Sequence, residues 1–168
     1  MAHPQMFDDD DPVLARVRGL ALDLPEAKEK VSHGRPAFFT TKVFCYYGGS
    51  VKVAGEYVRH PHSVVVQSDS SEREALRQLP EAFVPAYLGP SGWTGLDLSA
   101  TTDWAEIAEL LADSYRLTAP ARLSRDLAWR PLTLAQERPQ PGPDRLDRAE
   151  LAEAAGFEPA IGDKPKPA

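Results

Sequence analysis

The sequence predicts an α+β domain of two layers, in which an antiparallel sheet packs against helices in the order α-β(3)-α-β(2)-α. Apolar residues recur at helical spacing near both ends of residues 11–119. Between them lie short runs rich in aromatic and β-branched residues, which favour strands. A chain of 168 residues with 42% hydrophobic content is large enough to bury one core.

Capping signals predict where the helices begin. Asp11 is a suitable N-cap, and Pro12 fits the first helical position because its missing N–H is not needed there. Pro25 ends this helical pattern, and we expect residues 26–31 to add one helical turn.

Two capping boxes predict the later helices. Ser71 with Glu74 begins one helix, and Asp103 with Glu106 begins another, since each pair can satisfy free N–H groups of the first turn. The last helix carries its apolar side chains along one stripe, so we expect it to cover the sheet.

The strand pattern predicts a hairpin in the middle of the chain. Gly48-Gly49 suits a two-residue turn because glycine tolerates positive φ. Apolar residues occur on both faces of the strands, so we expect one face of the sheet to be well covered and the other partly. The predicted strands are residues 38–40, 43–47, 51–53, 63–67, 83–88 and 93–98.

The two ends of the chain differ in composition from the domain. Residues 1–10 are polar and acidic, and we expect them to be disordered. Residues 120–168 contain eight prolines, which predicts a Pro-rich extension that is partly disordered. Within it, we expect residues 127–129 to fold back on the domain and residues 147–155 to form a short helix.

The composition also indicates a compartment. The longest apolar runs are far too short to span a membrane, and the acidic N-terminus does not resemble a secretory signal. Cys45 is the single cysteine and has no partner for an internal disulfide. We therefore expect a cytoplasmic protein.

Net charge is −6, which argues against a surface covered with phosphate-binding groups. Residues 28–62 are the one locally cationic region, with six Lys or Arg against two acids. If the hairpin projects from the domain, these cations can reach phosphates, with Tyr46 or Tyr57 alongside. The alternative is that they are ordinary surface charges between buried strand positions. The candidate nucleic-acid-binding residues are Arg35, Lys42, Lys52 and Arg59.

Six short segments follow one another in a recognisable order. They are Leu24-Pro25-Glu26-Ala27, Gly34-Arg35-Pro36-Ala37-Phe38, Lys42-Val43-Phe44, Gly92-Trp93, Leu96-Asp97-Leu98 and Ser114-Tyr115-Arg116-Leu117. In this order they resemble the MmcQ/YjbR family of small bacterial proteins, over about residues 12–120. The resemblance implies a fold similar to the CyaY-like and secretion-chaperone-like folds, with the element order given above.

The resemblance also implies a function. Members of this family are commonly described as DNA-binding through a double wing of β-hairpins, and the resemblance brings no set of catalytic residues. The chain departs from the family at one point: Val66 is followed by Gln67-Ser68-Asp69, where a Lys is frequent. That departure disfavours a phosphate contact after this strand.

No enzymatic motif is present: the sequence lacks a Walker loop, a G-x-G-x-x-G run and an H-E-x-x-H helix. We expect a non-enzymatic protein without a cofactor. His60-Pro61-His62 brings two imidazoles together, but a stable metal site needs three or four ligands, so a solvated loop is expected. Trp93 and Tyr115 are expected to be buried aromatic residues rather than ligand-stacking groups.

Three functional hypotheses remain open. The first is weak, salt-dependent DNA binding through the basic hairpin region. The alternative is a protein-interaction module that uses the open sheet face for a protein partner. A small-molecule pocket near Trp93 is the third, and it requires a concave site with convergent polar groups.

Overall fold

A computed structural model describes residues 3–129, with the backbone alone for Ala128 and Trp129. Within this range an antiparallel sheet of six strands, in the order β1-β2-β3-β4-β6-β5, is combined with four α-helices, so the predicted α+β class is confirmed. In chain order the elements are α1 Pro12–Leu22, β1 Lys28–Ser32, β2 Arg35–Phe39, β3 Val43–Val53, β4 Glu56–Gln67, α2 Ser70–Leu76, β5 Ala82–Phe83, β6 Trp93–Asp97, α3 Trp104–Thr118 and α4 Ala121–Trp129.

Carboxylate caps begin the first three helices. Asp11 caps α1 by accepting the N–H of Val13 at 2.9 Å, and Asp103 caps α3, as the sequence predicts. The predicted Ser71 cap of α2 is wrong. Asp69 takes this position because its backbone is extended and its carboxylate accepts the N–H groups of residues 71 and 72.

Residues 28–32 form strand β1 instead of the predicted helical turn. The strand pairs with β2 from Lys28 opposite Phe39 to Ser32 opposite Arg35. The two residues between them, His33 and Gly34, both have positive φ, which suits a tight hairpin turn. Pairing with β2 therefore decides this segment, and β1 is a strand that the sequence does not predict.

The central hairpin turns later than predicted. β3 continues through Gly48-Gly49, where the pairing shifts register and Gly48 has a φ of 80°. The turn is formed by Ala54-Gly55, whose φ values are 50° and 86°. Tyr47 is opposite Val64 and Gly49 is opposite His60, so the extra residues of this irregularity lie in β4, at positions 61–63. The positive φ of Gly48 therefore serves an interruption of the ladder and not a turn. Residues 60–62 consequently lie in β4 and not in a solvated loop.

The predicted strand at residues 83–88 is shorter in the structure. Ala82–Phe83 pairs with β6 as β5, and residues 84–88 then leave the sheet as a loop. Pro85 cannot donate a ladder hydrogen bond, which is consistent with the end of the strand. The loop reaches β3, where the N–H of Ala86 donates to the carbonyl of Ser50 at 2.8 Å.

Two apolar clusters stabilise the sheet, one on each face. The main core lies under the helices and includes Phe44 and Tyr115, whose rings meet edge to face. The smaller cluster contains Val65, Phe83 and Trp93. Trp93 is 8% exposed and Tyr115 is fully buried, so the predicted burial of both aromatic residues is confirmed.

The N-terminal end of the described chain differs from expectation, whereas Leu127 packs back on the domain as predicted. Residues 3–10 were expected to be disordered, but the N–H of Met6 donates to the Gly34 carbonyl at 2.8 Å, and Asp9 pairs with Arg18 at 2.7 Å. Helix α4 adds Leu123 and Leu127 to the main core, so the packed unit extends past residue 119 to residue 129. Residues 130–168, with the predicted helix at 147–155, lie outside the described residues.

Among residues 3–129, the structure contains no helix with the length and apolar character needed to cross a membrane.

Candidate nucleic-acid interface and the adjoining groove

Two of the four predicted cationic residues lie on one face of the β3–β4 hairpin, the ribbon formed by residues 49–60. In this ribbon Ser50 is opposite Arg59, and Lys52 is opposite Tyr57. Because side chains alternate along a strand, Lys52, Tyr57 and Arg59 project from the same face. The Lys52 ammonium lies 5.7 Å from the centre of the Tyr57 ring, within the range of a cation–π contact.

Arg35 lies beside this face. Its side chain is half-buried, and its Nη1 donates to the Gly48 carbonyl at 3.2 Å. Burial, followed by the nearby charge of Arg59, lowers the pKa of Arg35, although a guanidinium stays charged at neutral pH. Within residues 3–129, no carboxylate lies within 4.0 Å of Arg35, Lys52 or Arg59. These three residues are called the cationic cluster below.

Lys42 does not join the cationic cluster. It precedes β3, whereas Lys52 lies near the far end of the same strand. Ten residues of extended chain span about 30 Å. The structure therefore does not bring Lys42 together with the other three predicted residues.

Acidic side chains approach the cluster from the N-terminus. Asp8, Asp10 and Asp11 line a surface cleft with Arg59. Their negative charge weakens the positive potential near Arg59 more than near Lys52. The cationic surface is therefore small.

The two histidines of the predicted loop contact different carboxylates. The Nδ1 atom of His60 lies 2.8 Å from Asp97, and the Nδ1 atom of His62 lies 3.1 Å from Asp11. In the part of the chain that the structure describes, no three His, Cys, Asp or Glu side chains are grouped so that they could hold a metal ion. Each imidazole instead links β4 to a neighbouring element.

A groove of about 550 Å³ adjoins the cationic cluster. We call it the tyrosine groove, because three tyrosines from three different segments contribute to its walls. Its lining includes His33, Arg35, Tyr46, Gly49, Tyr57 and Tyr87.

The sequence gives little sign of this groove. Tyr87 is 81% exposed and has a φ of 66°, and its hydroxyl bonds to that of Tyr57. The sequence predicts a strand over residues 83–88, in which Tyr87 would be part of the sheet and not part of a groove wall. The nearest available signal is Pro85, which would have placed this segment in a loop.

Comparison with known proteins identifies a family. A search of solved structures finds the crystal structure of Deinococcus radiodurans protein DR2400, which has the DUF419 domain. It shares 17% identity with this chain at a TM-score of 0.48, covering 70% of this chain and 88% of that one. The search of curated proteins gives no match. The YjbR family model matches residues 22–117, which is more than half of the sequence. The chain therefore belongs to the YjbR family.

Proposed function

We propose that this protein is a non-enzymatic, cytoplasmic DNA-binding protein that contacts the phosphate backbone weakly and without sequence preference. The observation that supports this proposal is the convergence of Arg35, Lys52 and Arg59 at one hairpin. Across residues 3–129 none of these cations has a carboxylate within 4.0 Å, so each remains available to a phosphate. Family membership is consistent with a hairpin as the contact element.

The size of the cationic cluster sets the expected strength of binding. Three phosphate contacts give a slope of about −2.7 for log affinity against log salt concentration on B-DNA. That slope corresponds to about a 40-fold loss of affinity between 50 and 200 mM salt. The net charge of −6 opposes approach of DNA to the rest of the molecule, so binding is expected to be weak even at low salt.

The test compares two sets of cations on one protein. In the double variant Lys52→Gln/Arg59→Gln, we expect affinity for a 20-base-pair duplex to fall and the salt slope to become shallower by about 1.8. Lys42→Gln is the matched control, since it removes an exposed lysine outside the cationic cluster. Fluorescence anisotropy between 25 and 200 mM salt measures both quantities.

Two results would contradict the proposal. One is an absence of binding at 25 mM salt by a protein whose thermal unfolding shows it to be folded. The other is an equal loss of affinity in Lys42→Gln and in the double variant, which would indicate a diffuse charge effect.

A protein-interaction role is the second candidate. Val53 and Val58 are 56% and 49% exposed, and their register places them on the face of the hairpin opposite Lys52. Exposed valines on a projecting ribbon suit an apolar partner surface. Loss of a defined protein complex in Val53→Thr/Val58→Thr, with the complex retained in Lys52→Gln/Arg59→Gln, would favour this role over DNA binding.

A further inference from the structure

We propose that the tyrosine groove binds a planar aromatic monoanion, of which an aromatic carboxylate is the simplest form. This inference goes beyond the proposed DNA contact, because it concerns a concave site for a small molecule beside the hairpin. It is supported by a guanidinium without a counter-ion, by aromatic walls, and by the size of the groove.

The guanidinium of Arg35 provides the anion-binding group. It is half-buried at the groove and uses Nη1 to donate to the Gly48 carbonyl. A buried charge without a counter-ion is unfavourable, and no carboxylate of residues 3–129 lies within 4.0 Å of this one. The remaining N–H groups form the planar fork that matches a carboxylate. A bound carboxylate would supply the missing negative charge.

The walls of the groove favour a flat ring. Tyr46 is held against Trp93, with ring centres 5.3 Å apart. Tyr57 and Tyr87 stack with ring centres 6.0 Å apart, and their hydroxyls bond to each other. Three tyrosines restrained in this way present aromatic surface without much further loss of side-chain freedom. Offset or edge contacts with a ligand ring are the favoured arrangement.

Backbone conformation also singles out this groove. Among residues 3–129, four non-glycine residues have positive φ, and two of them, His33 and Tyr87, line it. Conformations of this kind cost free energy and tend to occur where a site must be held in shape. The turns that contain His33 and Tyr87 therefore fix two sides of the groove.

Volume and charge define the ligand class. About 550 Å³ lies within the 300–1,000 Å³ typical of small-molecule sites. Arg35 is the one lysine or arginine among the lining residues, since Lys52 and Arg59 lie outside the groove. One positive charge matches a monoanion better than a phosphate dianion.

The experiment compares 2-naphthoate with its uncharged analogue 2-naphthamide on the full chain, by calorimetry and NMR titration without DNA. We expect 2-naphthoate to bind about tenfold more tightly, because the guanidinium can form two charge-assisted bonds with a carboxylate and only weaker, neutral bonds with an amide. Arg35→Gln should abolish this preference. Lys42→Gln should retain it, because Lys42 does not line the groove.

A second variant covers the case in which Arg35→Gln does not fold. Tyr87→Ala removes a largely exposed ring and should weaken both ligands several-fold while the preference for the anion remains. Equal affinity of the unmodified protein for the two ligands would overturn the proposal, as would unchanged affinity in Tyr87→Ala. Tighter binding of 2-naphthyl phosphate than of 2-naphthoate would overturn the assignment to a monoanion. Because DNA is absent, these results do not depend on the proposed function.

Discussion

At the scale of single residues, the second apolar cluster depends on two positions that lack a Cβ. The ring of Phe83 lies so close to the backbone that a Cβ at Gly95 would be 2.2 Å from its Cζ atom. A Cβ at Gly49 would lie 2.7 Å from the same ring. His60 stacks on Phe83 with ring centres 4.0 Å apart. The Phe83 ring therefore lies over strands β6, β4 and β3, and it can do so only because Gly95 and Gly49 have no side chain.

Gly95→Ala is accordingly expected to destabilise the fold by about 1–3 kcal/mol, the usual cost of forcing extra atoms into packed space. Gly19→Ala is the control, because it lies on the exposed side of α1 with no atom within 4 Å of its Cβ position. It should stabilise the protein by about 0.5–1 kcal/mol. Urea denaturation measures both, and a change of the same sign in the two variants would contradict this account of Phe83.

Single residues also show what sequence patterns can and cannot predict. Trp93 and Tyr115 follow the apolar periodicity of their elements, so their burial could be predicted. His33 and Tyr87 could not be assigned to the tyrosine groove, because their positive φ arises from a hairpin and a loop contact. The charge of Arg35 makes it a functional candidate, but its hydrogen bond to the Gly48 carbonyl depends on the pairing of β2 with β3 and could not be predicted.

At the scale of elements, strand pairing overrides local turn signals. The chain offers two turn sites, Gly48-Gly49 and Ala54-Gly55, and local chemistry favours the first. The later turn allows five residues at the end of β3 to pair with β4, from Gly49 opposite His60 to Val53 opposite Glu56. β1 could not be predicted either, because its mostly exposed residues have no alternating apolar pattern. The strands that pair with β1 and with the end of β3 cannot be identified from local sequence alone.

The Ala54-Gly55 turn gives a prediction about the hairpin. Ala54 adopts a φ of 50°, a left-handed conformation that costs an ordinary residue roughly 1–2 kcal/mol. Asparagine tolerates this conformation better and is preferred at the first position of such turns. Ala54→Asn should therefore raise the free energy of unfolding by about 0.5–1 kcal/mol.

Ala54→Val is the opposing variant for that turn, since a β-branched residue is strongly disfavoured at positive φ. It should lower the free energy of unfolding, and urea denaturation of both variants and of the unmodified protein measures the two changes. If the valine variant matched or exceeded the asparagine variant, the turn would not lie at Ala54-Gly55.

At the scale of the whole molecule, one polar cluster connects the first helix to the central hairpin. The Tyr47 hydroxyl donates to Asp11 at 2.5 Å, and His62 lies 3.1 Å from the same carboxylate. Burial and then the bond to Asp11 raise the pKa of Tyr47 well above its usual range. Burial also raises the pKa of Asp11, but the bonds from Tyr47 and the Val13 N–H, with the charge of His62, lower it overall. Asp11 thus caps α1 and ties it to β3 and β4.

Asp11→Asn separates these two roles, because asparagine is an equally good N-cap but carries no charge. We expect a loss of about 1 kcal/mol at pH 7, the difference between a charge-assisted and a neutral hydrogen bond. The folded pKa of Asp11 lies below the unfolded value of about 3.9, so its charge stabilises the fold above about pH 4. That contribution is lost as the pH falls through the folded pKa. Urea denaturation between pH 7 and pH 2.5 should therefore show the difference between the variant and the unmodified protein shrinking towards zero. Asp10→Asn changes an exposed neighbouring residue and should leave the free energy of unfolding at pH 7 nearly unchanged. If the destabilisation by Asp11→Asn persisted at pH 2.5, the charge of Asp11 would not be its cause.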